Sequence, residues 1–301
     1  MSGRRGSNSR PLPWQGSLLI LYEFALGRVQ SLPSQEGGWI NLLPVGGLNE
    51  LRATWDELGR EDPLWAVLST PETRGNRWPL DEFFATGRVE IEHLMARVKA
   101  LDIGIHPQRC LDFGCGVGRL SQALAEYFVR VDGIDIAPSM VARARENNRH
   151  GDRCVFRANG SGDLHLFADG TFDLIYTRLV LMHMKPRYSK AYIAEFIRVL
   201  KPDGLAVFHV PSSRPLRKQV LYSMAMARRT LLRHARRWTG GPPRSLPSNY
   251  KHAMYPVAKS AVQRVLRRSG ATLIATDESE AADDLHDVIY YAVKTSHWKP
   301  R

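Results

Sequence analysis

The chain has little cysteine, no long apolar run and, over one long stretch, no acidic residue. Cys110, Cys115 and Cys154 are its only thiols. They are odd in number and none has metal-ligand spacing, which argues against a disulfide framework or a cysteine metal site and for reduced thiols in a cytosolic protein. No apolar stretch approaches the roughly 20 residues of a membrane-spanning helix. Leu18 to Tyr22 follows Arg4 and Arg5 in the manner of a signal peptide, but Glu23 interrupts the run and no small-residue cleavage site is clear. Acid is missing from residue 204 to residue 276, while Arg and Lys recur there, in a chain of formal net charge +12. Such a block suits an anionic partner: nucleic acid, an anionic membrane surface or an acidic substrate. It equally suits a solvated face whose counter-charges come from elsewhere in the fold.

What is present suits one α/β domain. The 301 residues are 44% hydrophobic, enough for a buried core. Residues 1–48 are rich in Gly, Pro, Ser and Arg without a clear period. They read as a poorly ordered extension with one short helix near Ser17–Val29. From Asn49 the pattern turns helical, with Leu51, Trp55 and Leu58 on one stripe. A stronger helix follows from Asp81, its expected N-cap, with Phe84, Val89 or Ile91, Leu94, Met95 and Val98 near helical spacing.

Strands and helices then alternate. Strands are expected at 109–113, 129–136, 154–158, 172–177 and 204–210, with helices at 120–128, 139–148 and 188–200. A helix at 258–269 and strands at 271–275 and 287–293 close the chain. This alternation predicts a doubly wound, mostly parallel Rossmann-like sheet of about seven strands with helices on both faces.

The segment with most chemical content is Leu111-Asp-Phe-Gly-Cys-Gly-Val-Gly-Arg119. A strand that runs into Gly114-x-Gly116-x-Gly118 and then a helix is a ligand-cradling turn, because glycine accepts positive φ and leaves the backbone bare. A pyrophosphate fingerprint, Gly-x-Gly-x-x-Gly, would need glycine at position 119, which is Arg119. Asp112 would be awkward beside a pyrophosphate but suits an amino or sulfonium group. Asp135 ends the second strand 23 residues beyond Asp112, where an acid can accept from both hydroxyls of a ribose. Either aspartate could instead serve as a helix cap or a turn.

These stretches, together with Gly133 to Met140, Phe172 to Tyr176, Leu181-Met-His183 and Arg198 to Gly204, resemble the class I S-adenosylmethionine-dependent methyltransferase superfamily, in particular its bacterial small-molecule branch. The resemblance runs from about Cys110 to His209, with a weaker echo over Ala258 to Lys294. It implies S-adenosyl-L-methionine as cofactor. Asp112, Gly114, Cys115 and Gly116 would line its methionine end, and Asp135 would hold the ribose. Ile136 and Met140 would pack at the adenine, with Asn159, Gly160 and Ser161 closing over its edge. The family often has an acidic residue followed by alanine where this chain has Asn159-Gly160, which weakens that last assignment. Arg178 would sit near the sulfonium.

Methyl transfer needs a base only when the acceptor must lose a proton. His183, just past the fourth strand, is the histidine expected to serve; the alternative is that it packs or caps the next helix. His165, His209 and His252 have weaker claims. Between the fifth strand and the last helix lies a basic insertion, 211–250. Leu216, Val220, Met224, Ala227, Leu231, Ala235 and Trp238 form its helical stripe, with arginines mainly opposite. It reads as a lid over the acceptor, a membrane-surface helix or ordinary packing.

The leading expectation is therefore an enzyme that methylates a small-molecule or lipid- or sugar-linked acceptor in the cytoplasm, with membrane association as an option. A nucleic-acid methyltransferase is the second reading. Residues Thr177 to His183 lack the Asn/Asp-Pro-Pro-Tyr/Phe motif usual in amino-methylating enzymes of that kind, which ranks it lower. A noncatalytic cofactor-binding protein is the third. No metal site is expected.

Overall fold

The computed structural model describes residues 47–212, 254–280 and 286–295. The expected N-terminal helix near Ser17–Val29, the insertion stripe from Leu216 to Trp238 and His252 lie outside the described residues.

Runs of apolar residues too short for helices form the centre. The strands are β1 (Arg109–Phe113), β2 (Arg130–Asp135), β3 (Cys154–Ala158), β4 (Phe172–Thr177), β5 (Leu200–His209), β6 (Ala271–Glu280) and β7 (His286–Lys294). They form one sheet in the order β3-β2-β1-β4-β5-β7-β6. β1 to β5 pair in parallel, and β7 runs antiparallel to both β5 and β6. β4 is buried along its whole length, as expected of a strand covered on both faces.

Two apolar clusters flank the sheet. On one face α3 (Leu80–Ala100), α4 (Arg119–Leu124) and α5 (Pro138–Glu146) supply Ile91, Leu94, Leu124 and Val141 against Cys110, Leu174, Val207 and Tyr291. On the other, α6 (Pro186–Val199) and α7 (Lys259–Arg268) supply Ile193, Phe196, Val262 and Leu266 against Leu111, Ile175, Phe208 and Tyr290. A third cluster sits over the carboxyl ends of β1 and β2. There α1 (Leu48–Glu61) and α2 (Pro63–Val67) bring Trp55, Leu58, Ala66 and Val67 against Val117, Ala137 and Met140.

The architecture is the expected one, and four local details differ. Pro79, not Asp81, is the N-cap of α3; proline's fixed φ suits a helix start, and Asp81 falls in the first turn. α4 ends at Leu124, with tight turns carrying the chain to Phe128, so the helix is shorter than its sequence suggested. β5 begins at Leu200, upstream of the Lys-Pro-Asp-Gly turn expected to precede it. That turn sits at the irregular start of the β4–β5 pairing, with Asp203 at φ +62°. β6 reaches Glu280, because β7 offers it a partner along its whole length.

Candidate cofactor site

The strand order reverses between β1 and β4, and in such sheets the crevice beyond the carboxyl ends is where ligands bind. The loop after β1 lies there. Gly114, Gly116 and Gly118 take φ of +77°, +52° and +85°, conformations that side chains resist. A Cβ on Gly114 would lie 2.3 Å from Val180 Cγ2, and one on Gly116 2.9 Å from Val67 Cγ2. The peptide N–H groups of Gly114 and Cys115 both donate to the Ile134 carbonyl, at 2.8 and 3.0 Å, which ties the loop to β2. The Cys115 side chain is buried, and burial pushes its thiol well above its usual range.

Asp135 fixes the other wall. Its Oδ2 accepts from the Gly116 N–H at 2.9 Å and its Oδ1 from the Ala137 N–H at 2.8 Å. One carboxylate thus joins the glycine loop to the start of α5. Burial pushes its pKa up, against the lowering pull of those N–H groups. Each oxygen retains a second lone pair, so the group can still accept from a diol. Ile136 is half-buried beside it, and Met140 is buried beneath Gly59 of α1.

The loop after β3 organises itself. Asn159 donates its backbone N–H to the Asp135 carbonyl at 2.8 Å. Its side chain donates to the Asp163 carbonyl at 2.9 Å and accepts from the Ser161 N–H at 3.2 Å. The Ser161 hydroxyl donates to Asp163 Oδ1 at 2.6 Å. Gly160 lies under α1, where a Cβ would be 3.3 Å from Arg52 Nη1. The three residues therefore stand together beside Asp135, with the Asn159 amide engaged in shaping the turn.

Asp112 is a buried residue of β1. It is 1% exposed and accepts from Ser121 Oγ of α4 at 2.6 Å. Burial pushes its carboxyl up to about 7, against that hydrogen bond. Asp112, the residue the resemblance puts at the methionine end of the cofactor, also forms a buried link between β1 and α4. Arg178 joins a second buried group, centred on Glu90 of α3. Arg119 Nη2 donates to Glu90 Oε2 at 2.7 Å, the Tyr176 hydroxyl donates to Oε1 at 2.8 Å, and Arg178 Nε lies 3.8 Å from Oε1. Burial works against the Glu90 charge, but Arg119 and Arg178 outweigh it and hold the carboxyl below its ordinary range. The sequence reading missed Glu90, although an acid beside Ile91 on a buried stripe needs a partner.

His183 closes a 3-10 turn, Leu181–His183, and meets the edge of Trp55 with ring centroids 5.3 Å apart. It borders a small hollow with Leu48, Leu51, Met184 and Tyr188. α1 is thus set over several pieces of the site at once. Asp56 accepts from the Ser139 N–H at 2.8 Å, and its carbonyl accepts from Ser139 Oγ at 2.8 Å. These partners are 83 residues apart, and no local sequence signal could pair them. Among the described residues no group of His, Cys, Asp and Glu could hold a metal ion.

Comparisons with known proteins agree with this geometry. Residues 110–204 match the family model described as a methyltransferase domain. A stretch of 130 residues, 43% of the chain, is 32% identical to 40% of a 2-methyl-6-phytyl-1,4-hydroquinone methyltransferase from Synechocystis. A stretch of 135 residues is 32% identical to 54% of a ubiquinone biosynthesis O-methyltransferase from Xanthomonas campestris. The matches to these curated relatives thus span about half of the relatives' length. In fold, the chain resembles a magnesium protoporphyrin IX methyltransferase from Synechocystis, with a TM-score of 0.54, 18% identity and coverage of 82% of this chain and 99% of that one. The glycine loop, the Asp135 clamp and the family match coincide on one stretch of chain, and that stretch matches the methyltransferase-domain family.

Proposed function

We propose that the chain transfers a methyl group from S-adenosylmethionine to a small-molecule acceptor with an ionisable hydroxyl or amine, phenols and hydroquinones being the first class to try. The observation that carries this reading is the Asp135 clamp beside a glycine loop whose backbone is bare. The residues fit the cofactor by their donor set. Asp135 keeps lone pairs for a ribose diol, and Gly114 and Gly116 hold the positive φ that lets the loop pack closely against Val180 and Val67. Ile136 and Met140 offer apolar surface, and Asn159, Gly160 and Ser161 stand at the adenine side. The acceptor class is supported by two relatives named for hydroquinone and ubiquinone chemistry.

When bound, the cofactor supplies an activated methyl on a sulfonium, so the protein's task is alignment and exclusion of water. α1 and α2 do the excluding, through Val67 over Gly116 and Asp56 on Ser139. Arg178, anchored on Glu90, holds a fixed positive group at the end of β4. An anionic membrane as the source of the acceptor is supported by Arg264, Arg267 and Arg268, exposed on α7 within the acid-free stretch. Their contribution would weaken as salt is added.

Calorimetry tests the cofactor: S-adenosylmethionine and S-adenosylhomocysteine should bind and NAD should not, and tighter NAD binding would sink the reading. Radiolabelled cofactor offered with cell extract then identifies the acceptor by the labelled product.

A further inference from the structure

His209 and Asp287 meet where β5 ends and β7 begins. His209 pairs with Ile289 across the two strands. Side chains alternate along a strand, so His209 and Asp287 lie on the α3 face with Val207, Ile289 and Tyr291. One step earlier Thr177 pairs with Phe208, so Arg178 leaves β4 beside His209. Asp287 also draws on Arg178 electrostatically. The histidine therefore stands at the carboxyl edge of the sheet, next to the group at the end of β4.

His209 is 3% exposed, and its Nε2 lies 3.2 Å from Asp287 Oδ1. An ionised carboxylate only accepts, so at this distance it favours by electrostatics the tautomer with the proton on Nε2, which leaves a lone pair on the buried Nδ1. Among the described residues neither His209 Nδ1 nor Asp287 Oδ1 has an aligned hydrogen-bond partner. Buried polar atoms are nearly always paired, and those that are not call for an explanation.

We propose that His209 is the general base of the methyl transfer and that Asp287 is the positioning residue that keeps its proton on Nε2. The inference rests on the methyltransferase reading above. The acceptor O–H or N–H proton passes to His209 Nδ1, and the acceptor atom forms the new bond to the methyl carbon. The carbon–sulfur electron pair leaves with the sulfur. The imidazolium, beside Asp287, then returns its proton to solvent.

The test uses the full chain and two independent readouts. Nitrogen NMR of the histidine rings should show His209 protonated on Nε2, and Asp287→Asn, whose amide can donate, should shift the proton toward Nδ1. A wild-type ring protonated on Nδ1 overturns the proposal without any assay of turnover. For turnover, the acceptor labelled in the extract screen is used. His209→Ala should lower kcat by about 10²–10⁴-fold, the usual contribution of a general base. Its affinity for S-adenosylhomocysteine should stay within about twofold of wild type, and added imidazole should restore part of the rate; His209→Gln substitutes if His209→Ala does not fold, with the same loss expected. An His209→Ala rate within about threefold of wild type sinks the base. So does a rate loss accompanied by lost affinity for S-adenosylhomocysteine, which marks a structural role. A wild type that binds the cofactor but labels nothing overturns the methyltransferase reading instead, and the base falls with it.

Discussion

The two halves of the sheet treat their polar groups differently. At the carboxyl ends of β2 and β3, Asp135 and Asn159 have their side-chain oxygens engaged by backbone N–H groups. At the ends of β4 and β5 and along β7, Thr177 Oγ1, His209 Nδ1, Asp287 Oδ1 and the Tyr290 hydroxyl are buried without an aligned partner among the described residues. The first half builds its ligand-facing loops from its own backbone, so those loops are specified before anything binds. Unsatisfied groups also occur beside the first half, at Asp62 Oδ1, Arg119 Nε and Gln122 Nε2, so the difference lies at the strand ends themselves; each such group costs about 1–3 kcal/mol.

Four measurements can break or sharpen this contrast. The largest effect is expected at Asp112, whose pKa of about 7 lies well above the ordinary carboxylate range. The folded state therefore holds a proton that the unfolded chain releases near pH 4. Stability should be highest below that point and fall as pH rises to about 7, by up to about 4 kcal/mol. Asp112→Asn should flatten that slope in denaturant titrations between pH 4 and 8; an unaltered slope would assign it to another group.

Next comes Asp135→Ala. Loss of hydrogen bonds to a charged group should weaken cofactor binding by about 1.5–3 kcal/mol. Removal of the clamp on Gly116 and Ala137 should also lower the melting temperature. That second effect follows from the structure: a strand-end position alone would suggest little change in folding. Calorimetry and thermal melts on one sample separate the two, and an unchanged dissociation constant in a folded variant would remove Asp135 from the ribose.

The third is a matched pair. Ser121→Ala strips the buried Asp112 carboxyl of its donor and should cost about 1–3 kcal/mol. Thr177→Val removes a hydroxyl with no aligned partner among the described residues and should be neutral or mildly stabilising. Equal losses in the two variants would show that the halves do not differ.

The smallest effect is expected at the α1 closure. Asp56→Ala removes the acceptor for the Ser139 N–H at the start of α5, worth about 0.5–1.5 kcal/mol. Stopped-flow release of S-adenosylhomocysteine should speed up by a few-fold, with little change in melting temperature. An unchanged release rate would mean that α1 does not hold the crevice shut.

Much of this was legible in the chain itself, for a local reason. β1, β3 and β4 fall where short apolar runs end in turn residues, and the three loop glycines carry their conformation in their lack of a Cβ. Asp135 was readable as well, because its place at the end of a strand follows from the strand. Less legible were partners brought together by packing. Glu90 meets Arg119, Tyr176 and Arg178 from separate elements. His209 looked like the polar end of an apolar strand, and nothing near it in sequence announced Asp287. Asp112 was legible as an acid at the loop, but the direction of its side chain depends on which face of β1 receives α4.

By itself, then, the sequence determined the order of strands and helices, the bare-backbone loop after β1 and the acid at the end of β2. Each of these depends on residues within a few positions of one another. Only the tertiary structure decided that Asp135 clamps the loop, that Asp112 turns inward to Ser121, that α1 closes over Ser139, and that His209 faces Asp287. Those outcomes depend on sheet register and on the face each helix covers, which are set by burial of apolar surface across the whole domain and by no local pattern.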